Sequence, residues 1–267
     1  MRKSLTDDEL LAIVRKLADI ADEISMTYAR DTSIQVESKS DNTPVTRADR
    51  EVEQALCEAL STLCPRVEVV GEEFNPNPKG SASYWVIDPI DGTKNFIRRV
   101  PVWATLIAYV EQHTVRYGMV SAPMLARRWW GSKDNGSYTS DADGKIRSIR
   151  VSNICELKDA SFSYSDDADW NRINKSKNLA ALKSEVWRVR AFGDFWSHLM
   201  VAEGAVDIAA EPELAIWDVA ALIAIIEGAG GKITGLGGQS PLESNSAYTS
   251  NGYLHPQLLG IFSGESK

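Results

Sequence analysis

Apolar residues near the start of the chain recur at helical spacing. Leu10, Val14, Leu17, Ala21 and Ile24 fall three or four apart and so line one face of an amphipathic helix. Thr6 and Glu9 form a T-x-x-E capping box at its entry, which predicts a helix over about residues 5–30. The polar stretch ESKSDNTPVTRAD (37–49) follows, and its Asp-Asn pair and Pro44 predict a loop or turn. A second helix is expected from near Thr46, with Val52, Leu56, Ala59 and Leu63 inward and Pro65 beyond its end. The period then shortens. VEVVGEE (67–73) and SYWVIDP (83–89) read as strands. WATLIAYVEQ (103–112) and TVRYGMVSAP (114–123) read as a hairpin, RRWWGSK and SYTS flank an Asn135-Gly136 hairpin turn, and IRSIRVS (146–152) reads as another strand.

Beyond residue 150 helix and strand alternate. A helix is expected from near Asp194 through FWSHLMVAEG, a strand at VDIAA (206–210), and an almost wholly apolar helix over 217–228 that Gly230 and Gly231 end. GKITGL and SAYTSN read as strands. The fold class expected is α/β (α+β). The expected division is an N-terminal part, 1–150, of two helices and a mainly antiparallel sheet, and a C-terminal α/β part, 151–267.

At 267 residues the chain suffices for one large domain or two small packed ones. Its net charge of −8 argues against a nucleic-acid groove, which needs a basic field. The N-terminus MRKSLTDDELL turns acidic at once, and no long apolar run follows. The expectation is a cytoplasmic protein with no signal peptide and no membrane partner. Cys57, Cys64 and Cys155 fit no zinc spacing and are expected to be buried or partly buried free thiols. His113, His198 and His255 are scattered and are expected to be structural. Trp129 and Trp130 are expected in the sheet or at a subunit contact.

The chemistry lies in four acidic segments. DPIDGT (88–93) closes an apolar strand. Pro89 disfavours helix at Asp88, and Gly92 permits a tight turn. Asp88 and Asp91 either converge there on one hard cation, which prefers oxygen ligands, or form a turn whose aspartate caps the next helix. A helix starting at Thr93 would direct free N–H groups towards an anion. Gly71-Glu72-Glu73 follows a strand, Trp217-Asp218 precedes the apolar helix, and Thr46 to Asp49 resembles a capping box. Each also has an ordinary reading, as solvated acids or as helix caps. Together they place several carboxylates at element ends, as a multi-metal phosphoryl site requires.

With these segments in hand, the chain resembles the inositol monophosphatase family. GEE (71–73), WVIDPIDGTKNF (85–96) and WDVAALIAIIEGAGG (217–231) match its signature segments in order and spacing. The resemblance implies a layered αβαβα sandwich and a Mg2+-dependent phosphatase of small phosphorylated metabolites, with two or three Mg2+ per active site and water attacking directly. It implies metal ligation by Glu72, Asp88, Asp91, Asp218 and the Ile90 carbonyl. Asp49 and Thr93 would orient and deprotonate the attacking water. Lys39 matches an active-site loop lysine, and Asp91, Gly92 and Thr93 would also contact substrate.

RRVPVWATLIAY (98–109), RRWWGS (127–132) and the stretch 190–218 resemble the branch that cleaves L-histidinol phosphate. That branch implies substrate contacts at Arg190, Asp194 and Glu211, with Glu213 unranked against Glu211. It leaves Phe195 or Trp196 to stack on the imidazole. Homodimers are common in the family, so one is expected here. An inositol monophosphatase or a broad sugar or nucleotide phosphatase would have the same metal site with different walls around 190–213. A macromolecule-binding regulator of the same fold, or a non-catalytic one, would not require the complete acid set.

Overall fold

The computed structural model describes residues 4–31, 36–38, 44–76 and 80–263. In chain order the elements are α1 (Asp7–Arg30), β1 (Val36–Ser38), β2 (Pro44–Thr46), α2 (Arg47–Leu63), β3 (Glu68–Gly71), β4 (Ser83–Asp91), α3 (Thr93–Arg98), β5 (Ala104–Glu111), β6 (Thr114–Ala122), β7 (Arg127–Ser132), β8 (Gly136–Ser140) and β9 (Ile146–Ile149). They continue with β10 (Ser161–Tyr164), α4 (Asp167–Arg172), α5 (Ser176–Glu185), β11 (Arg188–Arg190), α6 (Asp194–Ala202), β12 (Ile208–Glu211), α7 (Ile216–Gly228), β13 (Lys232–Thr234), β14 (Ala247–Ser250) and α8 (His255–Ser263).

The entry of α1 is set by the predicted box. The Thr6 side chain accepts the Glu9 N–H while Glu9 accepts the Thr6 N–H, so Leu5 lies outside the helix. The segment expected as a loop contains β1 and β2, which pair antiparallel. Pro44 opens β2, a position where a missing N–H is tolerated.

A seven-stranded sheet runs in chain order from β3 to β9. β3 and β4 pair parallel and every later neighbour is antiparallel. Both faces are covered, which explains why its strands read as unbroken apolar runs. Because side chains alternate across a strand, Trp85 and Ile87 of β4 pack with Leu10, Val14 and Leu56 of α1 and α2. Tyr84 and Val86 pack on the other face with Phe195 and Leu199 of α6 and Leu222 and Ile226 of α7.

A five-stranded sheet, ordered β11-β10-β12-β14-β13, lies beyond α6 and α7. Its β10–β11 and β10–β12 pairs are parallel and the rest antiparallel. α4, α5 and α8 cover its outer face through Trp170, Leu179, Leu258 and Phe262. The five layers are therefore α1/α2, sheet, α6/α7, sheet and α4/α5/α8, an αβαβα sandwich.

α7 packs on β4 to β8 and also reaches β13. A helix apolar on all sides belongs between layers, and α7 is buried on every residue from Val219 to Ile226. Gly118 of β6 admits it, since a Cβ there would press on the Ala221 backbone. No described helix is long and apolar enough to cross a membrane.

Trp129 and Trp130 are buried in the seven-stranded sheet. His198 bonds to Thr249, and His255 bonds to Thr234 and Ser250. All three cysteines are free, but Cys155 is exposed, which corrects the expectation for that thiol. It lies in the irregular segment after β9, where no apolar period requires burial.

Candidate active site

The site begins with a register fault in β4. Asp88 pairs with Leu106 and Asp91 with Ala104, so three steps along β4 oppose two along β5. In a regular strand residues three apart face opposite sides. The extra residue is a bulge that reverses the parity and turns both carboxylates to one side. Thr105 donates to the Pro89 carbonyl (2.8 Å), and the Ile90 N–H donates to Asp88 Oδ1 (3.0 Å), which pins the distortion. Gly92 follows at φ +82°, a left-handed conformation suited to glycine, and α3 starts at Thr93.

Asp49 sits at the third position of α2. Its Oδ2 accepts the Thr46 N–H (2.8 Å) and hydroxyl (2.6 Å), while Oδ1 faces the Thr93 hydroxyl at 3.4 Å. The same hydroxyl lies 3.0 Å from the Ile90 carbonyl. Asp218 repeats the device on α7, where Oδ2 accepts the Ala215 N–H (2.7 Å). Each aspartate spends one oxygen on its own helix end, so capping does not exclude a role for the other oxygen in the cleft.

Carboxylate oxygens of Asp88, Asp91 and Asp218 lie within 4.8 Å of one another, and no other such group occurs among the described residues. Burial, then Glu72 and the neighbouring aspartates, pushes the Asp88 carboxyl well above the usual range. Asp91 is raised by burial and then by Asp194 and Asp218, although the Phe195 N–H (2.9 Å) opposes this. Burial lifts Asp218 to about 7 and Asp49 to about 6. Gathered carboxylates that resist ionisation are the donor set a hard divalent cation relieves. Glu72 lines the same cleft from the turn after β3.

The cleft holds about 590 Å³ between the two sheets. Its far wall comes from the C-terminal half. Gly193 (φ +78°, ψ 168°) takes a conformation essentially reserved for glycine, and Asp194 then has φ +47°. Ser165 holds this wall together: its hydroxyl donates to Glu211 Oε1 (2.6 Å) and accepts the Asp194 N–H (3.2 Å). Asn95 donates to both Asp194 Oδ2 (3.0 Å) and the Val102 carbonyl (2.9 Å). Burial raises the Asp194 carboxyl and pushes Glu211 up to about 8. Asp194 therefore does not cap its helix.

The two glutamates that line the cleft differ in setting. Glu211 is buried beside Ser165, whereas Glu213 is exposed and paired with Arg172. Arg190 lies exposed on edge strand β11, donates to the Val189 carbonyl (2.7 Å) and is not among the residues that line the cleft. Trp196 packs on the central core and against Phe192, which itself lines the cleft. The Phe195 ring is buried near Trp129, and its backbone is what bonds Asp91. Lys39 lies outside the described residues. Asn95, Ser165 and Phe192 carry no expectation from sequence. Only Asn95 had a signal, its place within the matched segment 85–96.

A second cleft, of about 620 Å³, lies between the start of α1 and β6–β9. Its Asp7 is held by Ser132 and Asn135, and no acid cluster forms there.

The sequence model described as the inositol monophosphatase family matches residues 6–266. A histidinol-phosphatase of Streptomyces coelicolor is 47% identical, covering 95% of this chain and 96% of its own. One from Mycobacterium tuberculosis is 44% identical over the same shares. Among solved structures, an inositol monophosphatase from Zymomonas mobilis superposes with a TM-score of 0.83 at 26% identity, covering 98% of this chain and 100% of that one.

Proposed function

This chain belongs to the inositol monophosphatase family and is a phosphoric monoester hydrolase, and we propose that its substrate is L-histidinol phosphate, cleaved to L-histidinol and phosphate. The observation that carries the substrate is the wall opposite the metal cluster. Asp194 and Glu211 face the cleft with Asp166, Asp169 and Glu213 around them, and Lys94 is the one lysine or arginine in the described lining. A sugar phosphate offers so many carboxylates only neutral hydroxyl donors and no cation. A substrate with an ammonium gains charge-assisted hydrogen bonds, and Phe192 offers a face for an imidazole. The 47% and 44% identical relatives carry the name of that activity.

The family is metal-dependent, and Glu72, Asp88, Asp91, Asp218 and the Ile90 carbonyl would hold the cations, for which we propose Mg2+ in two or three copies. When bound, Mg2+ neutralises phosphate charge and acidifies water. The remaining work falls to the chain. The Thr93 hydroxyl accepts from the attacking water and passes its own proton towards Asp49 Oδ1, whose carboxyl near 6 suits it to receive one around neutrality. Gly92 and Thr93 direct backbone N–H groups at the phosphate oxygens. Asp194 and Glu211 fix the ammonium, and the Ser165 and Asn95 bonds keep both carboxylates oriented. Positioning and electrostatics supply most of the acceleration in such transfers.

The test is phosphate release, with Mg2+ and with chelator, from histidinol phosphate, inositol 1-phosphate, fructose 1,6-bisphosphate and phosphoadenosine phosphate. Magnesium-dependent preference for histidinol phosphate is expected. A preference for inositol phosphate, or equal rates on all four, would overturn the substrate assignment and leave the hydrolase intact.

A further inference from the structure

One buried carboxylate has no part in the mechanism above. Glu53 is 1% exposed on α2. It lies four residues after Asp49, so both point from the same helical face. Asp49 reaches the turn at Thr93, while Glu53 reaches the turn that follows β3. Its Oε2 accepts the Glu73 N–H (2.8 Å) and its Oε1 accepts the Phe74 N–H (3.0 Å). The carboxylate fills the space where a side chain on Gly71 would stand. A Cβ there would lie 2.9 Å from Oε2 and nearer still to Oε1. Gly71 does not have a left-handed backbone, so this room is what its glycine supplies.

We infer that Glu53 is a positioning residue, whose buried carboxylate holds the 71–74 turn so that Glu72 faces the metal cleft. The inference rests on the reading of Glu72 as a metal ligand. α2 thereby braces two arms of the site at once, the end of β4 through Asp49 and the end of β3 through Glu53. Two successive N–H groups bonding the two oxygens of one carboxylate fix the orientation of the turn, and charge-assisted bonds of this kind are the stronger ones. An amide cannot replace it. A glutamine offers one oxygen and turns its NH2 towards the other backbone N–H, so one donor loses its acceptor.

The experiment is Mg2+ titration by calorimetry, without substrate, on Glu53→Gln, Gly71→Ala and Glu72→Gln. Melting in chelator is followed in parallel. Gly71→Ala keeps every charge and displaces the Glu53 carboxylate, so it covers the case in which Glu53→Gln does not fold. Groups that orient metal ligands typically contribute 10–100-fold to affinity. Both Glu53→Gln and Gly71→Ala are therefore expected to weaken Mg2+ binding by roughly 10-fold or more, out of proportion to any change in melting. If Glu72→Gln weakens binding while the other two bind like the parent, the positioning role is overturned and the ligand reading stands. If Glu72→Gln itself binds Mg2+ like the parent, the ligand reading fails and the inference with it.

Discussion

Substituting Gly118 with alanine tests how closely the site depends on the layer that carries it. Gly118 lies mid-strand in β6, in a backbone conformation open to alanine, so no torsional strain is added. The new Cβ would stand 3.0 Å from the Ala221 Cα and carbonyl carbon, and closer to its oxygen. All three are main-chain atoms of a rigid helix, with no side chain to swing aside. Restoring ordinary contact requires α7 to recede by about 1 Å, and overpacking of this kind costs about 1–3 kcal/mol. For a chain of this size that corresponds to a melting temperature lower by roughly 2–12 °C.

The function should fall further than the stability. Asp218 is one turn from Ala221 on α7, whereas Asp88 and Asp91 ride on the sheet from which α7 is pushed. A displacement of about 1 Å among reacting groups costs on the order of 100-fold in rate. The assay is melting in chelator together with phosphate release at saturating Mg2+. Gly260→Ala serves as control, because apart from its chain neighbours and the backbone of its own helix no atom lies within 4 Å of a Cβ there. It is expected to melt at or slightly above the parent temperature. Parent-like melting and turnover in Gly118→Ala would refute the claim that this contact seats Asp218.

Asp88→Asn should retain the parent far-ultraviolet spectrum and lower turnover by roughly 100-fold or more; unchanged turnover would remove Asp88 from the metal set. In chelator, Asp88, Asp91 and Asp218 bind protons more tightly folded than unfolded, because their carboxyls are raised. That stabilisation is full below the ordinary carboxylate range near 4 and is lost as pH rises through the raised values of the folded state, about 7 for Asp218. The metal-free protein should thus melt higher at pH 6 than at pH 8, with Mg2+ reducing the difference, and equal melting at both pH values would contradict the crowding of charge. Glu211 ionises near 8 in the free site, and an ammonium prefers its charged form. kcat/KM for histidinol phosphate should then rise about five-fold between pH 7 and pH 8, and Glu211→Gln should abolish that rise while sparing Mg2+ binding. An identical pH profile in the variant would exclude Glu211 from ammonium recognition.

Features carried by short-range pattern were legible without coordinates. The box of Thr6 and Glu9 set the start of α1, and Thr46 and Asp49 set that of α2. The apolar run 217–228 required a helix buried on all sides, and it lies between two sheets. In all these cases one helical turn or one strand contains both partners, so spacing alone encodes the contact. The acids of 88–91, 72 and 218 stood out because proline, glycine and strand ends bracket them.

Tertiary structure decided what joins distant residues. The parity of β4 depends on how it registers against β5, so only pairing reveals that Asp88 and Asp91 face one way. Asn95 meets Asp194 across 99 positions and Ser165 meets Glu211 across 46. Arg190, adjacent in sequence to the far wall, was carried to the sheet edge by the direction of β11. Glu53 meets the Glu73 and Phe74 N–H groups across 20 and 21 positions, in the turn after β3. The chain itself determined its layers and the kinds of residue available to the site. Which of those residues meet was set by packing, because a contact between separate elements depends on how those elements dock and has no period for the sequence to display.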